Sequence, residues 1–419
     1  MAIKNITKLK ILIITQYFWP ENFRINEISE ELSNLGHKVT ILTGYPNYPS
    51  GSLFKDFKKH KHKYKKYKNS EIIRIPIITR GKTKFNLFLN YLSFLVNSIF
   101  TGYFKLINKD FDVILTFQLS PITIGVTSAF FSIIKKCPQV FWVLDLWPDT
   151  LIALNILKKD WEINLFKIFV NWIYKYCDII LAQSESMLER IKTYPAVSKN
   201  AYFLPVWSDS EFFLKKYQPA KEIKKKNIFT IMFAGNIGKA QDFKSILLAV
   251  KHLIKQNFKE FRIILIGDGS EKKWLEKKLK ALEIDKYFEL YKQYELKRMP
   301  SFFLHADALL VSLLNKEAFN KTIPGKLQFY LSSGKPIIGM LCGEGAEIIK
   351  KSKSGLVCKS GDYICLSENI KKITTFDERQ LLKMGINGKK YAEREFSKSK
   401  LIGKLNYFLI QLSNKKDKK

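Results

Sequence analysis

Residues 228–244, IFTIMFAGNIGKAQDFK, restrict the possible fold more than any other stretch of this chain. Residues 228–234 form an unbroken apolar run of β-branched and aromatic side chains, the pattern of a parallel strand buried on both faces. The run ends in Gly235-Asn236-Ile237-Gly238, and a helical pattern starts behind Asp242, a good N-cap residue. Strand, glycine turn and helix start are how a parallel α/β sheet offers backbone N–H groups and a helix dipole to a phosphate. Taken alone, the turn either cradles an anion or only satisfies backbone geometry.

The same unit recurs in the second half. Apolar runs at 261–266, 287–290, 307–313 and 336–340 read as strands, and 242–256 and 295–304 as helices. The first of these strands enters Gly267-Asp268-Gly269-Ser270, where Lys272 stands in place of the third glycine of a dinucleotide fingerprint, which argues against an NAD enzyme. Further on, NKTIPGKLQFYLSSGKP (320–336) places Pro324 at a helix start, whose first turn adds the Lys326 ammonium to its free N–H groups. Gly343-Glu344-Gly345-Ala346-Glu347 is a third glycine turn at a helix start. Three such turns at one end of one sheet are what a nucleoside diphosphate requires.

The first half opens as β-α-β, with strands at 10–15 and 38–43 around an amphipathic helix at 22–35 stopped by Gly36. The loops after the two strands are aromatic where a dinucleotide fold has glycines. They carry Tyr17, Trp19, Asn22 and Arg24 in the first, and Tyr45, Asn47 and Tyr48 in the second. At the carboxyl ends of parallel strands, such side chains suit a sugar or an amphipathic acceptor; the alternative is a pair of rigid Pro/Tyr-rich turns. Strands at 112–117, 139–144 and 178–182 follow, the second entering Asp145-Leu146-Trp147-Pro148-Asp149-Thr150. The two carboxylates either serve acid–base chemistry and acceptor hydroxyls, or cap the helix that starts near Thr150. Asp110-Phe111-Asp112 is formally a DxD, but it precedes a strand and reads as a turn, so no metal is expected.

A chain of 419 residues supports two domains, and 208–226, with Pro219 and a lysine run, reads as the linker between them. Lys and Arg exceed Asp and Glu by 71 to 38, a net charge of +33 that points to an anionic partner or to compositional drift. The excess is concentrated in 55–68, KDFKKHKHKYKKYK. Residues 85–104 follow, twenty uncharged residues interrupted by Asn86, Asn90 and Asn97. That length spans a bilayer, yet a span would place two parts of one sheet on opposite sides of a membrane, so the stretch reads as a soluble or interfacial helix. A polybasic loop beside an aromatic helix suits a protein resting on anionic lipid. Single-stranded nucleic acid ranks lower, because no nucleic-acid fold signature accompanies the run. Five scattered cysteines suggest neither a zinc site nor disulfides and fit a reducing compartment, and the N-terminus reads as a first strand, not a signal peptide.

Six motifs, ITQYFWPENFRINE (14–27), TGYPNYPSG (43–51), LDLWPDTLIAL (144–154), FAGNIGKAQ (233–241), TIPGKLQFYLSSGKPIIG (322–339) and GEGAEII (343–349), lie in the order in which a known family carries them. In these the chain resembles the retaining family-4 glycosyltransferases of the GT-B fold. More narrowly, it resembles the branch that includes the bacterial O-antigen N-acetyl-L-fucosamine and colanic-acid transferases. The resemblance implies an α/β protein of two Rossmann-like parallel-sheet domains facing across a cleft. These would be an acceptor domain at 1–208, a linker at 209–226, a nucleotide-sugar domain at 227–396, and a last helix with basic tail at 397–419 crossing back to the first domain.

By position, the resemblance implies that Gly235, Asn236, Gly238 and Gln241 line the diphosphate, with Gly267 and Gly269 beside them. It puts Gln328 at the ribose and Thr322, Leu327, Gly345 and Glu347 in the same donor site. The family commonly has Arg and Lys where Asn236 and Gln241 stand, and two glutamates where Asn320 and Gln328 stand. Lys326, with Lys239, is therefore expected to carry the charge that neutralises the leaving diphosphate. Asp145 and Asp149 are expected as acceptor-hydroxyl ligands or modest helpers, and Tyr17, Trp19, Asn22, Arg24, Tyr45, Asn47, Tyr48 and Trp147 as the acceptor surface.

The expected function is metal-independent transfer, without a cofactor, of a hexosamine-type sugar from a UDP-sugar to a polyprenyl-diphosphate-linked saccharide. Its place would be surface polysaccharide synthesis, on the cytoplasmic face of the plasma membrane. A sugar-nucleotide epimerase of the same fold and a nucleic-acid-binding protein on a degenerate fold are the alternatives.

Overall fold

The computed structural model describes residues 8–81, 83–197 and 200–416, and among these the long apolar runs build two sheets. The chain divides into one unit of Met1–Pro205 with Ser399–Lys419 and a second of Val206–Lys398.

In the first unit the order is β1 (Lys10–Ile14), α1 (Arg24–Asn34), β2 (Lys38–Gly44), α2 (Lys55–Lys59), β3 (Lys66–Tyr67), β4 (Ser70–Ile75) and α3 (Lys84–Leu106). Then follow β5 (Val113–Gln118), α4 (Ile124–Lys135), β6 (Gln139–Val143), α5 (Asp149–Ala153), α6 (Asp160–Lys175), β7 (Ile179–Ala182), α7 (Glu185–Lys192) and β8 (Ala201–Phe203). The strands lie in the order β3-β4-β2-β1-β5-β6-β7-β8, all parallel except the short β3. The order reverses between β1 and β5, and the carboxyl-end crevice at such a reversal is where open α/β sheets hold ligands. β1 reads as predicted because Ile11, Leu12, Ile13 and Ile14 are all buried, as a strand covered on both faces requires. α1 buries Ile25, Ile28 and Leu32 at helical spacing and stops before Gly36, which adopts φ +91°.

Two stretches differ from the sequence reading. The basic run is not an open loop. It folds into α2, a 3₁₀ turn and β3, anchored by the buried rings of Phe57 and Tyr64, and β4 follows it unforeseen. The apolar stretch at 85–104 is α3, a helix of this unit packed on its sheet. Buried Asn90 accepts from Gln16 Nε2 at 2.8 Å and donates to the Ile78 carbonyl at 2.5 Å, and Ser98 bonds Thr127 at 2.6 Å.

The second unit contains β9 (Phe229–Ala234), α8 (Phe243–Lys255), β10 (Phe261–Ile266), α9 (Lys272–Ala281), β11 (Phe288–Tyr291), α10 (Met299–Phe303) and β12 (Ala308–Ser312). It continues with α11 (Glu317–Asn320), α12 (Gly325–Ser333), β13 (Ile337–Met340), α13 (Glu344–Ser352), β14 (Gly355–Cys358), α14 (Tyr363–Thr374) and α15 (Glu378–Glu395). Its sheet, β11-β10-β9-β12-β13-β14, is wholly parallel and reverses order between β9 and β12. Residues 209–226, expected as a linker, are packed into this unit: the Ala220 N–H donates to the Ser301 carbonyl at 3.1 Å, and Ala220 and Ile223 are buried. A final helix, α16 (Lys398–Lys416), returns to the first unit, where Asn406 bonds His37 at 2.7 Å and the Phe408 ring packs, tilted, against Tyr202 with centroids 4.8 Å apart.

Candidate functional site

At the reversal point of the second sheet, the turn after β9 meets the N-terminus of α12. Two residues one turn apart on α12 fix this contact. The Tyr330 hydroxyl accepts from the Ala234 N–H at 2.7 Å and donates to the Ala234 carbonyl at 3.0 Å. Lys326, four residues earlier and so on the same helix face, lies beneath the glycine turn. A Cβ built on Gly235 would stand 3.2 Å from Lys326 Nζ, and the ammonium sits 3.8 Å from the centre of the Phe233 ring. Lys326 Nζ is buried and has no hydrogen-bond partner, and this burial pulls its pKa down from 10.5 to about 7. A desolvated amine with no counter-charge is costly, and an arriving anion relieves that cost.

α13 brings a second helix start to the same place. Gly345 faces Pro324 Cδ, 3.1 Å from its would-be Cβ, and Gly343 lies against the Asn320 backbone. Neither α12 nor α13 has a side-chain N-cap, so their first turns keep N–H groups for an anion. The first two glycine turns are zipped to each other. Ile237 N–H donates to the Asp268 carbonyl at 2.8 Å, and Glu271 N–H to the Ile237 carbonyl at 2.9 Å. A Cβ at Gly267 would overlap the Gly235 carbonyl, and one at Gly269 the Ile237 carbonyl, so these glycines permit backbone-on-backbone packing. Asn236, on the exposed side of its turn, lies between Gly238 and Gly269. Asn236, Lys326 and Gly345 are thus carried by three segments that meet at one end of one sheet.

Several residues expected at the donor site are engaged within the unit. α8 does not present its N-terminus, because a 3₁₀ turn (Lys239–Gln241) intervenes and the Asp242 carboxylate caps the helix at Ser245 N–H. Gln241 does not reach for a diphosphate: its Oε1 accepts from the Gly238 N–H at 3.2 Å, closing the turn on itself. Gln328 lies two residues from Lys326, about 200° around the helix, and its Nε2 donates to the Val206 carbonyl at 2.6 Å, which removes it from a ribose site. Leu327 is core packing, fully buried. Thr322 bonds back to the Ala318 carbonyl at 2.8 Å, and Glu347 pairs with Lys350 at 3.0 Å on the surface of α13. Lys239 is exposed on its turn.

In the first unit the aromatic loops mostly pack on each other. Tyr17, Phe23 and Tyr48 form one ring cluster with centroids 5.2–5.5 Å apart. Trp19, Tyr64, Phe57 and Tyr45 form another, at 4.8–5.4 Å. Tyr17 is buried and its hydroxyl accepts from Arg80 at 3.2 Å, which does not leave it as an acceptor ligand. Asn47 is buried too, holding the Tyr45 carbonyl and the Arg80 N–H. Arg24 pairs with Glu27 at 2.9 Å. Asn22 and the outer edge of Tyr48 stay exposed.

The residue that joins both loops was missed. Glu21 is buried and accepts from the N–H groups of Phe18 (3.1 Å), Asn47 (2.8 Å) and Tyr48 (2.7 Å). Burial pushes its pKa up to about 7 against those hydrogen bonds. The available signal was a single carboxylate inside an otherwise aromatic loop. Arg80 gave no such signal.

Asp145 and Asp149 are both engaged inside the fold. Asp145 accepts from Trp147 Nε1 at 2.9 Å and Thr150 Oγ1 at 2.6 Å, and burial raises its pKa. Asp149, at the start of α5, pairs with Arg190 at 2.9 Å. Trp147 packs into the core beside Phe166 at 6.0 Å. The three residues hold the loop after β6 together. Among the described residues, no three His, Cys, Asp or Glu side chains cluster as a metal set.

Residues 215–391 match the family model Glycosyl transferases group 1. Among solved structures, the sucrose-phosphate synthase of Thermosynechococcus elongatus is similar at a TM-score of 0.74 and 12% identity, over 97% of this chain and 99% of that one. Anabaena HepE in complex with UDP and glucose gives 0.68 and 12%, over 96% and 100%. WaaG, a glycosyltransferase involved in lipopolysaccharide biosynthesis, gives 0.67 and 14%, over 95% and 99%. No curated protein matches the chain in sequence. The fold is that of GT-B glycosyltransferases, two parallel-sheet α/β units. Residues 215–391, the part that matches the group 1 glycosyltransferase model, lie in the second unit.

Proposed function

We propose that the protein transfers a sugar from a UDP-sugar to a lipid-linked saccharide, with retention at the anomeric carbon and without a metal ion. The single observation carrying this reading is the unpartnered Lys326 ammonium beneath Gly235, where the first turns of α12 and α13 meet. A pyrophosphate bound there gains one buried cation and two helix dipoles. The same groups would stabilise the departing UDP oxyanion as the glycosidic bond to it breaks. In front-face attack the departing phosphate itself takes the acceptor proton, so no protein base is needed. This agrees with the loop-holding roles of Asp145 and Asp149.

The UDP donor is supported by the HepE complex. A role in surface polysaccharide synthesis, with an N-acetylated hexosamine or deoxyhexosamine as donor sugar, is supported by the sequence motifs and the likeness to WaaG. A polyprenyl-diphosphate-linked acceptor at the cytoplasmic membrane face would suit the +33 charge. The test is a thermal-shift screen of UDP-, GDP- and CMP-sugars, followed by transfer to a synthetic polyprenyl-diphosphate saccharide with and without EDTA. NMR of the product then reads the anomeric configuration. Stabilisation by UDP-sugars with an EDTA-resistant, retained product is expected; preference for another nucleotide, inversion or loss of turnover in EDTA overturns the corresponding part.

A further inference from the structure

α3 is built inside out. The residues it turns to the protein at four-residue spacing are Asn90, Phe94, Ser98, Gly102 and Leu106, three of them polar or lacking a side chain. The residues it turns outward are Phe85, Phe88, Leu92, Val96, Phe100 and Phe104, with Phe104 73% exposed. A helix covering a sheet in water has the opposite arrangement. α6 buries Val170, Ile173 and Tyr174 and also turns Trp161, Leu165, Ile168 (68% exposed) and Trp172 outward, so it is apolar on both faces. Between them, α4 buries Thr127 and Ser128 and exposes Ile133 and Ile134.

These stripes share one face. The crossovers β4-α3-β5, β5-α4-β6 and β6-α6-β7 all step the same way along the sheet, so right-handed connections put the three helices on the same side. They touch in sequence: Ser98 bonds Thr127, Tyr103 meets Phe130 at 6.3 Å, and Gly125 lies against Ile173. The result is a set of apolar stripes on one side of the unit, more than singly scattered exposed leucines.

We infer that this three-helix face lies in the acyl–headgroup boundary of an anionic bilayer, the occupant that rests on the proposed lipid-linked acceptor. Its composition selects lipid. Neither α3 nor α4 carries an Asp or Glu, and the two acids of α6, Asp160 and Glu162, lie in its first turn. Lys136, Lys159, Lys167 and Lys175 stand exposed on or beside the same helices, where their stems suit headgroup phosphates. Trp161, Trp172 and Tyr103 are the side chains that favour the membrane interface. α3 lies on the bilayer and does not cross it, because its inner residues are tied to the sheet.

The test is sedimentation of the full chain with vesicles of phosphatidylglycerol and phosphatidylcholine. A variant carrying Trp161→Gln, Leu165→Gln, Ile168→Gln and Trp172→Gln should partition at least about tenfold less than wild type at high salt, where only apolar insertion survives. A variant with Lys136, Lys167 and Lys175 changed to Ser should lose binding only at low salt. UDP-induced thermal stabilisation of both variants should match wild type, which shows that they fold. Wild-type partitioning by the α6 variant overturns the inference. A wild-type dimer in lipid-free solution that the α6 variant converts to a monomer also overturns it, assigning the face to a second copy. Neither readout uses sugar transfer, so a failed transferase assay leaves the vesicle result standing.

Discussion

Replacing Lys326 by Met keeps a flexible side chain of similar length over the Phe233 ring and removes only the ammonium. The fall of its pKa from 10.5 to about 7 means that the ligand-free fold works against the charged form. At about 1.4 kcal/mol per pH unit, the cost is about 5 kcal/mol near pH 6 and about 1 kcal/mol near pH 10. Between about pH 7 and 10.5 the unfolded chain holds this proton and the folded chain does not, so the wild-type contribution to stability rises with pH across that window. Lys326→Met should therefore stabilise the ligand-free protein most near pH 6, with the gain shrinking toward pH 10. Function should move the other way. Losing one electrostatic donor to the diphosphate costs about 2–4 kcal/mol of transition-state stabilisation, roughly 30- to 1000-fold in turnover. Wild-type UDP affinity should also weaken above about pH 7, because binding must then take up a proton. Urea unfolding at several pH values, with and without UDP, reads all three effects. A variant that is less stable than wild type near pH 6, or that binds UDP as tightly, refutes the assignment of Lys326 as a counter-charge awaiting an anion.

Other outcomes follow from single contacts. Tyr330→Phe leaves the Ala234 N–H and carbonyl without their partner and should cost about 1–3 kcal/mol in stability, with reduced UDP affinity as the glycine turn shifts from Lys326. Gly267→Ala, at φ +154° and against the Gly235 carbonyl, should lower the melting temperature and abolish UDP-induced stabilisation; Gly325→Ala, with nothing within 4 Å, should do neither. Glu21 holds its proton in the fold up to about pH 7 but loses it near 4.5 when unfolded, so its contribution to stability falls as pH rises between those values. Glu21→Gln should flatten that slope in urea unfolding and loosen the two loops, seen as faster amide exchange at Asn47 and Tyr48. Asp149→Asn breaks the buried pair with Arg190 and should destabilise the protein while leaving turnover on a soluble acceptor near normal.

The amino-acid sequence by itself determined the central strands of both sheets, because a strand buried on both faces must be an apolar run; the outer strands β3, β4, β8 and β14 were not legible in that way. It also determined the three glycine turns and Lys326, since a backbone that approaches another backbone admits only glycine, and a proline-led helix start is visible in the letters. β4 was missed because Ser70-Glu71 and Arg74 disguise it; Arg74 is buried there, bonding the Gly44 carbonyl at 2.9 Å. Which side chains of the aromatic loops face inward was not legible, because Tyr17 or Trp19 suits a ring cluster as well as a sugar. Gln328 was misassigned for a related reason: family position says which helix carries a residue, but a step of 100° per residue decides which neighbour it meets. The tertiary structure alone decided that Lys326 lacks a partner, that Glu21 joins two loops, and that α3 and α6 turn their apolar sides outward. Burial and pairing are properties of what surrounds a side chain, and for these residues the surroundings come from segments distant in the chain.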